Sequence, residues 1–275
     1  MSVILKGAVR LYYYLNEEIA DPRTQDWFLM RTPWPGLAVL LLYLAVVFKW
    51  LPGHMSRRPA YDLKTPIAVY NAIQIVGCGY LVYQSMALGW MRHYKMVCQP
   101  VDDGPYAVEF AWKVCYGYFA IKMVDLLDTV FFVLRKKQNQ VTFLHVYHHF
   151  GMVALAWGIV KWVPGGHMTL LIPVNSLVHM VMYGYYLLSV WDDSYKSSLW
   201  WKKHVTQIQI TQFVVMLVHM MTLALATDCD YPKQPAYIII PQNLFIVALF
   251  LDFYVRAYVL QPKQAKETNG VSKKE

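Results

Sequence analysis

The stretch Val141–Val163, VTFLHVYHHFGMVALAWGIVKWV, decides how the rest of the chain is read. At ~1.5 Å per residue it is long enough to cross a bilayer's hydrocarbon core, and it is apolar on every side except where His145, His148 and His149 interrupt it. Six further apolar runs accompany it, at Trp34–Leu51, Pro66–Trp90, Val108–Leu134, Met168–Val190, Val205–Ala226 and Ala236–Leu260. The chain of 275 residues is 57% hydrophobic and 15% charged, with mean hydropathy +0.30. A soluble domain carries about a quarter charged residues, so a water-soluble globular protein is excluded. Seven spans of roughly 20 residues leave no room for a separate soluble catalytic domain, and any chemistry must lie within the bundle. The expected fold is an all-α integral membrane protein of seven transmembrane helices.

Turn formers separate the runs: Pro52-Gly53, Pro100 to Pro105, Pro164-Gly165-Gly166, Asp192-Asp193-Ser194, and Pro232 with Pro235. Residues 1–33 have mixed charge and aromatics but no signal-peptide pattern, and read as an interfacial leader; residues 261–275 read as a disordered tail. The net charge of +8 does not point to nucleic acid, because the bases lie between apolar runs and report topology. One side receives fifteen Lys and Arg, including Lys136, Lys137, Lys202 and Lys203; the inter-span loops of the other receive Arg92, Lys95, Lys161 and Lys233. The positive side is expected to be cytosolic and to hold the C-terminus, with the N-terminus lumenal. Cys98 and Cys229 then both fall in lumenal loops, where a disulfide would tie the loop after the second span to the loop after the sixth. Cys78 and Cys115 lie inside spans as small apolar packers.

Ionisable groups at bilayer depth cost at least ~2.5–3.5 kcal/mol each and call for a reason. The third run contains Lys122, Asp125, Asp128 and Thr129, whose i, i+3 spacing puts Lys122 and Asp125 on one face, as an ion pair of structural or functional use. In the fourth, His145, His148 and His149 share one stripe, a spacing that suits a metal site as well as imidazole chemistry. The fifth aligns Asn175, His179, Tyr183 and Tyr186, and the sixth aligns Gln209 and Gln212, which serve equally well as interhelical glue. Counting ~1.5 Å per residue from the cytosolic ends, Asp128 and His149 lie roughly 10–14 Å deep and Lys122 and His179 about 20 Å. These overlapping layers allow one cavity, open to the cytosol, that suits an amphiphile with its charged head near the cytosol and its long chain toward the lumen.

In that order, Lys122…Asp125…Asp128-Thr129, His145-x-x-His148-His149, Asn175-x-x-x-His179-x-x-Met182-Tyr183-x-Tyr185-Tyr186 and Thr206-Gln207-x-Gln209-x-x-Gln212 resemble the very-long-chain fatty acid elongases of the endoplasmic reticulum, over about residues 30–260. The family usually has Glu where this chain has Asp125. The terminal Lys273 and Lys274 stand one place too close to the end for a standard dilysine retrieval signal.

The resemblance implies a multi-pass reticulum protein, six of whose spans enclose a narrow tunnel closed at the lumenal end. It implies the condensation of an acyl-CoA with malonyl-CoA to a 3-oxoacyl-CoA, without a metal or other cofactor, with His148 as nucleophile. Asn175, His179 and His149 are then the expected oxyanion donors, while His145, Asp125 and Asp128 orient the imidazoles and Lys122 balances the carboxylates. Thr129, Tyr183, Tyr186, Gln209 and Gln212 are expected at the substrate, and Lys136, Lys137, Lys202 and Lys203 at the CoA phosphates. Candidate partners beyond the two substrates are the other enzymes of the elongation cycle and a second copy of the chain.

Two rival classes remain to be weighed. A di-iron desaturase or hydroxylase needs several histidine boxes, and this chain has one: His54, His93, His167, His204 and His219 stand singly in sequence. A seven-helix receptor or small transporter has no use for three clustered histidines level with two carboxylates, and no inverted repeat is visible.

Overall fold

The computed structural model describes residues 3–260, which are helical with no β-strand among them; the tail expected at 261–275 lies outside the described residues. Apart from short helical turns, the helices are α1 (Val3–Tyr13), α2 (Pro33–Met55), α3 (Lys64–Trp90), α4 (107–134), α5 (Phe143–Trp162), α6 (His167–Trp191), α7 (Leu199–Leu225) and α8 (Gln234–Leu260). All but α1 and α4 are long and apolar enough to cross a membrane, six in number. The remaining expected span, α4, is helical apart from a one-residue break at Leu126 and carries Glu109, Lys113, Lys122, Asp125 and Asp128.

The helix boundaries follow the apolar runs to within a few residues, with two informative exceptions. α2 continues through Pro52-Gly53 to Met55, because the wide i→i+5 turn at Val46–Trp50 takes up the proline instead of ending the helix. α7 starts at Leu199 rather than Val205: Ser198 caps it, its hydroxyl accepting from the Trp201 amide at 3.5 Å. At α5 the cap matters directly for chemistry. The Thr142 hydroxyl accepts from the His145 amide at 3.2 Å, so His145 stands in the capped first turn.

Packing closes a circuit of six helices: α3 lies along α6, α6 on α7, α7 on α8, α8 on α5, α5 on α4, and α4 back on α3. α2 stands outside the circuit, its C-terminal turns against the end of α4, where the Tyr61 amide also donates to the Leu134 carbonyl at 3.1 Å. Two ends result: a basic end holding Arg57, Arg58, Arg135 to Lys137, Lys196, Lys202 and Lys203, and an opposite end closed by loops.

That closed end is heavily cross-braced. Cys98 and Cys229 form a disulfide with Cα atoms 5.8 Å apart. The His167 amide donates to the Gln99 carbonyl at 2.9 Å, and Gly166, at φ +79°, sits where an added Cβ would meet the Pro100 carbonyl oxygen at 2.6 Å. Residues 19–32, expected to belong to a peripheral leader, instead strap this end: Thr24 donates to the Val160 carbonyl at 2.8 Å, Arg23 to the Asp102 carbonyl at 2.7 Å, and Met30 is fully buried. The cause is the chain's own polar backbone, which offers acceptors at every residue: the Leu29 carbonyl of the strap receives the Trp157 indole N–H and that of Leu15, just before the strap, the Trp162 indole N–H, both at 2.8 Å. α1 alone stays on the surface, with no buried residue.

The disulfide joins residues 131 apart in sequence, so removing it frees a long loop in the unfolded chain. Replacing Cys98 and Cys229 by serine is expected to lower stability by about 2–4 kcal/mol. Thermal unfolding in detergent checks this; the parent with reductant should match the double variant.

Candidate active site

The polar centre is built from three helices around one carboxylate. Lys122 and Asp125 lie one turn apart on α4, each 2% exposed, with Nζ 2.7 Å from Oδ2. The other oxygen of Asp125 accepts from Gln74 Nε2 of α3 at 2.6 Å and from the Tyr183 hydroxyl of α6 at 3.1 Å. Tyr183 also lies 2.9 Å from Asp128 Oδ2 and 3.3 Å from the Tyr70 hydroxyl, to which Gln74 donates at 2.9 Å. Charged groups at this depth are stable only when paired and hydrogen-bonded, and α3, α4 and α6 each supply partners.

The histidines stand beside this cluster, held by different means. His145 Nε2 is 2.9 Å from Thr129 Oγ1, which in turn is 2.8 Å from the Tyr43 hydroxyl of α2. The His148 ring is fixed by edges: it meets Phe213 of α7 and Phe250 of α8 nearly perpendicularly, with centroids 5.8 and 6.2 Å away. No described residue hydrogen-bonds the ring of His148 or His149. His179 Nδ1 is buried without a hydrogen-bond partner, 3.7 Å from Asp125 Oδ2. Asn175 Oδ1 accepts from Tyr118 at 2.9 Å, leaving its amide N–H groups to donate elsewhere. A narrow cavity is lined by Lys122, Asp125, His148, His149, Met152 and His179.

Lys122, His149 and His179, from three different helices, thus meet in one cavity, but several expected contacts differ. Neither Asp125 nor Asp128 orients a histidine of the box. Their oxygens are taken by Lys122, Gln74 and Tyr183, and Thr129 holds His145 instead. Tyr183, expected at the substrate, is fully buried with its hydroxyl against the two carboxylates, and Thr129, equally buried, bridges Tyr43 and His145. Tyr186 packs on Tyr183 and is 37% exposed. Gln209 reaches the Met182 sulfur at 3.5 Å and Gln212 is buried, and neither lines the cavity. At the basic end Lys136 and Lys202 are exposed and Lys203 half-buried. Lys137, also half-buried, has its pKa lowered first by burial and then by Arg135, Lys196 and Lys202.

Some partners escaped the sequence reading. Gln74 and Tyr70 stand at i, i+4 in the second run, the same polar signal used for the other helices. His167 and His219, single in sequence, are stacked in space: their ring centroids are 3.7 Å apart, and each Nε2 donates to the other's backbone carbonyl, at 3.0 and 2.9 Å. Only the tertiary fold could bring those two together.

A multi-helix membrane protein with an ion pair and three imidazoles gathered in an internal cavity is the class these features define. The comparisons narrow it. Residues 28–267 match the GNS1/SUR4 (ELO) family. A very long chain fatty acid elongase 7 of Drosophila melanogaster is 39% identical over 261 residues, covering 93% of this chain and 79% of that protein. The human very long chain fatty acid elongase 4 is 38% identical over 288 residues, covering 100% of this chain and 90% of its own length. A rat very long chain fatty acid elongase 2 is 34% identical over 256 residues, 93% of this chain and 90% of that one. The chain belongs to the GNS1/SUR4 (ELO) family.

Proposed function

We propose that this protein is an endoplasmic reticulum fatty acid elongase that condenses a long-chain acyl-CoA with malonyl-CoA, and that His148 carries the acyl group between the two half-reactions. The observation that carries the reading is the His148 ring: it lines the cavity beside Lys122 and Asp125, held only by aromatic edges, with neither nitrogen hydrogen-bonded to a described residue. A neutral imidazole with a free lone pair is a competent nucleophile toward a thioester.

In the first half-reaction an imidazole nitrogen attacks the thioester carbonyl, the N–C bond forms, the C–S bond breaks, and CoA leaves as a thiolate that takes a proton. In the second, malonyl-CoA loses CO2 and the resulting enolate carbon attacks the acyl-imidazole. The C–C bond of the 3-oxoacyl-CoA forms, the N–C bond breaks, and the departing imidazole nitrogen takes a proton from water, replacing the one lost with CoA. Each step passes through an oxyanion, for which the amide N–H of Asn175 and the rings of His149 and His179 are the candidate donors. Chemistry of this kind requires no resident metal.

On this reading α4 is a seventh span, with its charges turned into the bundle, and the six-helix circuit encloses the acyl tunnel. The chain enters from the basic, cytosolic end and points toward the braced, lumenal end, so that the N-terminus is lumenal. Lys136, Lys137, Lys202 and Lys203 meet the CoA phosphates, and α1, with Lys6 and Arg10 among apolar residues, lies on the bilayer surface.

The test supplies purified protein with a panel of acyl-CoAs and labelled malonyl-CoA. The expected result is a 3-oxoacyl-CoA two carbons longer, with labelled CO2 released one for one and no stoichiometric iron or zinc in the active preparation. Product that does not depend on malonyl-CoA, or activity tracking a bound metal, overturns the reading.

A further inference from the structure

We infer that Tyr43, on the helix outside the six-helix circuit, acts through Thr129 as a positioning residue that fixes the tautomer of His145. The inference deepens the elongase reading above and rests on it. Its basis is a chain of hydrogen bonds running inward from α2: Tyr43 hydroxyl to Thr129 Oγ1 at 2.8 Å, then Thr129 Oγ1 to His145 Nε2 at 2.9 Å. Tyr43 is 6% exposed and Thr129 0%, so no bulk water substitutes for either partner.

Counting donors gives the chain a direction. Tyr43 has one proton and, among the described residues, one hydrogen-bond partner, Thr129. If Thr129 donated to Tyr43, the phenolic proton would be buried without an acceptor, which costs the full desolvation of that group. Tyr43 therefore donates to Thr129. The Thr129 proton must then go elsewhere. Thr206 and Thr211 on α7 spend theirs on the carbonyl four residues back, at 3.0 and 2.9 Å, but Thr129 makes no such bond. The acceptor left to it is His145 Nε2.

Nε2 of His145 therefore accepts, and its proton resides on Nδ1. The ring, with its centroid 4.2 Å from that of His149, is left with a single N–H donor of fixed identity beside the histidines that line the cavity. His145 does not itself line the cavity, so its fixed tautomer acts through the neighbouring ring of His149, whose surroundings need not reorganise when negative charge develops on a thioester oxygen. The bond at one ring nitrogen thus decides what the other can do, and α2 acquires a part in the chemistry although it forms no wall of the circuit.

The experiment compares Tyr43→Phe, Thr129→Val, Thr129→Ser and His148→Ala with the parent in purified, detergent-solubilised full-length protein, reading kcat and KM for acyl-CoA and malonyl-CoA separately. Thr129→Val keeps the shape and removes the relay, and is expected to lower kcat about tenfold with both KM values unchanged. Thr129→Ser keeps the hydroxyl and is expected to restore most of that loss. Tyr43→Phe leaves Thr129 free to turn, and is expected to lower kcat severalfold, again without moving KM. Parental kcat in both Thr129→Val and Tyr43→Phe, with His148→Ala inactive, overturns this inference alone. So does a Thr129→Ser variant as impaired as Thr129→Val, which would mean packing rather than a proton. Full activity in His148→Ala overturns the covalent reading and this inference with it.

Discussion

Replacing His148 with alanine is expected to reduce malonyl-CoA-dependent elongation to background while the protein remains folded. The size of the loss separates two roles. A side chain acting only as a general acid or base contributes about 10²–10⁴-fold, so its removal leaves a measurable residue of activity. A group that carries the acyl chain leaves no route at all, because the second half-reaction has lost its electrophile. Folding should survive, since the ring makes no hydrogen bond to a described residue and its ring contacts are edges of Phe213, Phe250 and His149. The covalent intermediate gives an independent check. Acyl-CoA supplied alone should leave an acyl mass on the peptide holding His148, and malonyl-CoA should discharge it. A quenched digest without that mass, alongside normal turnover, would favour direct transfer between the two thioesters.

Much of this centre is legible in the sequence because a bilayer makes every polar residue conspicuous. Lys122, Asp125, His148, His149 and His179 each interrupt an apolar run, and the helical rise alone puts them in overlapping layers, as their shared cavity requires. Direction within a layer is harder to read. Tyr183 and Thr129 stand on the expected faces, yet both spend their hydroxyls on other side chains rather than on the cavity, because two carboxylates and an imidazole had to be satisfied first. Gln74 was within reach of the same polar-in-apolar argument. Tyr43 was not: an aromatic in a hydrophobic helix reads as packing until its partner is known. The strap at residues 19–32 escaped for a different reason. Its hold comes from backbone carbonyls as acceptors, Val160 and Asp102 receiving Thr24 and Arg23 and Leu29 receiving the Trp157 indole, and carbonyls are present at every position of a sequence.

Lys122 is the position where a single substitution should cost the most stability. Asp125 is buried to 2% exposure with Lys122 as its only ion-pair partner of fixed charge among the described residues, and Asp128 adds a second carboxylate on the same turn of α4. An intact buried pair contributes little net stability, since both ions give up water to form it. Breaking it is another matter, because the remaining ion keeps its desolvation cost and loses its compensation, a penalty of about 3–5 kcal/mol. Lys122→Met preserves most of the side chain's volume and deletes only the charge, so the loss can be assigned to electrostatics rather than to a cavity. Thermal unfolding in detergent should show that loss. Adding Asp125→Asn should recover most of it, since the amide oxygen still accepts from Gln74 and Tyr183 while the unpaired charge is gone. The double variant is nevertheless expected to be inactive, because Lys122 and Asp125 both line the cavity beside His148. Recovery of stability without recovery of turnover would show that the pair is retained for its place at the reacting groups. A double variant no more stable than Lys122→Met would refute the electrostatic account.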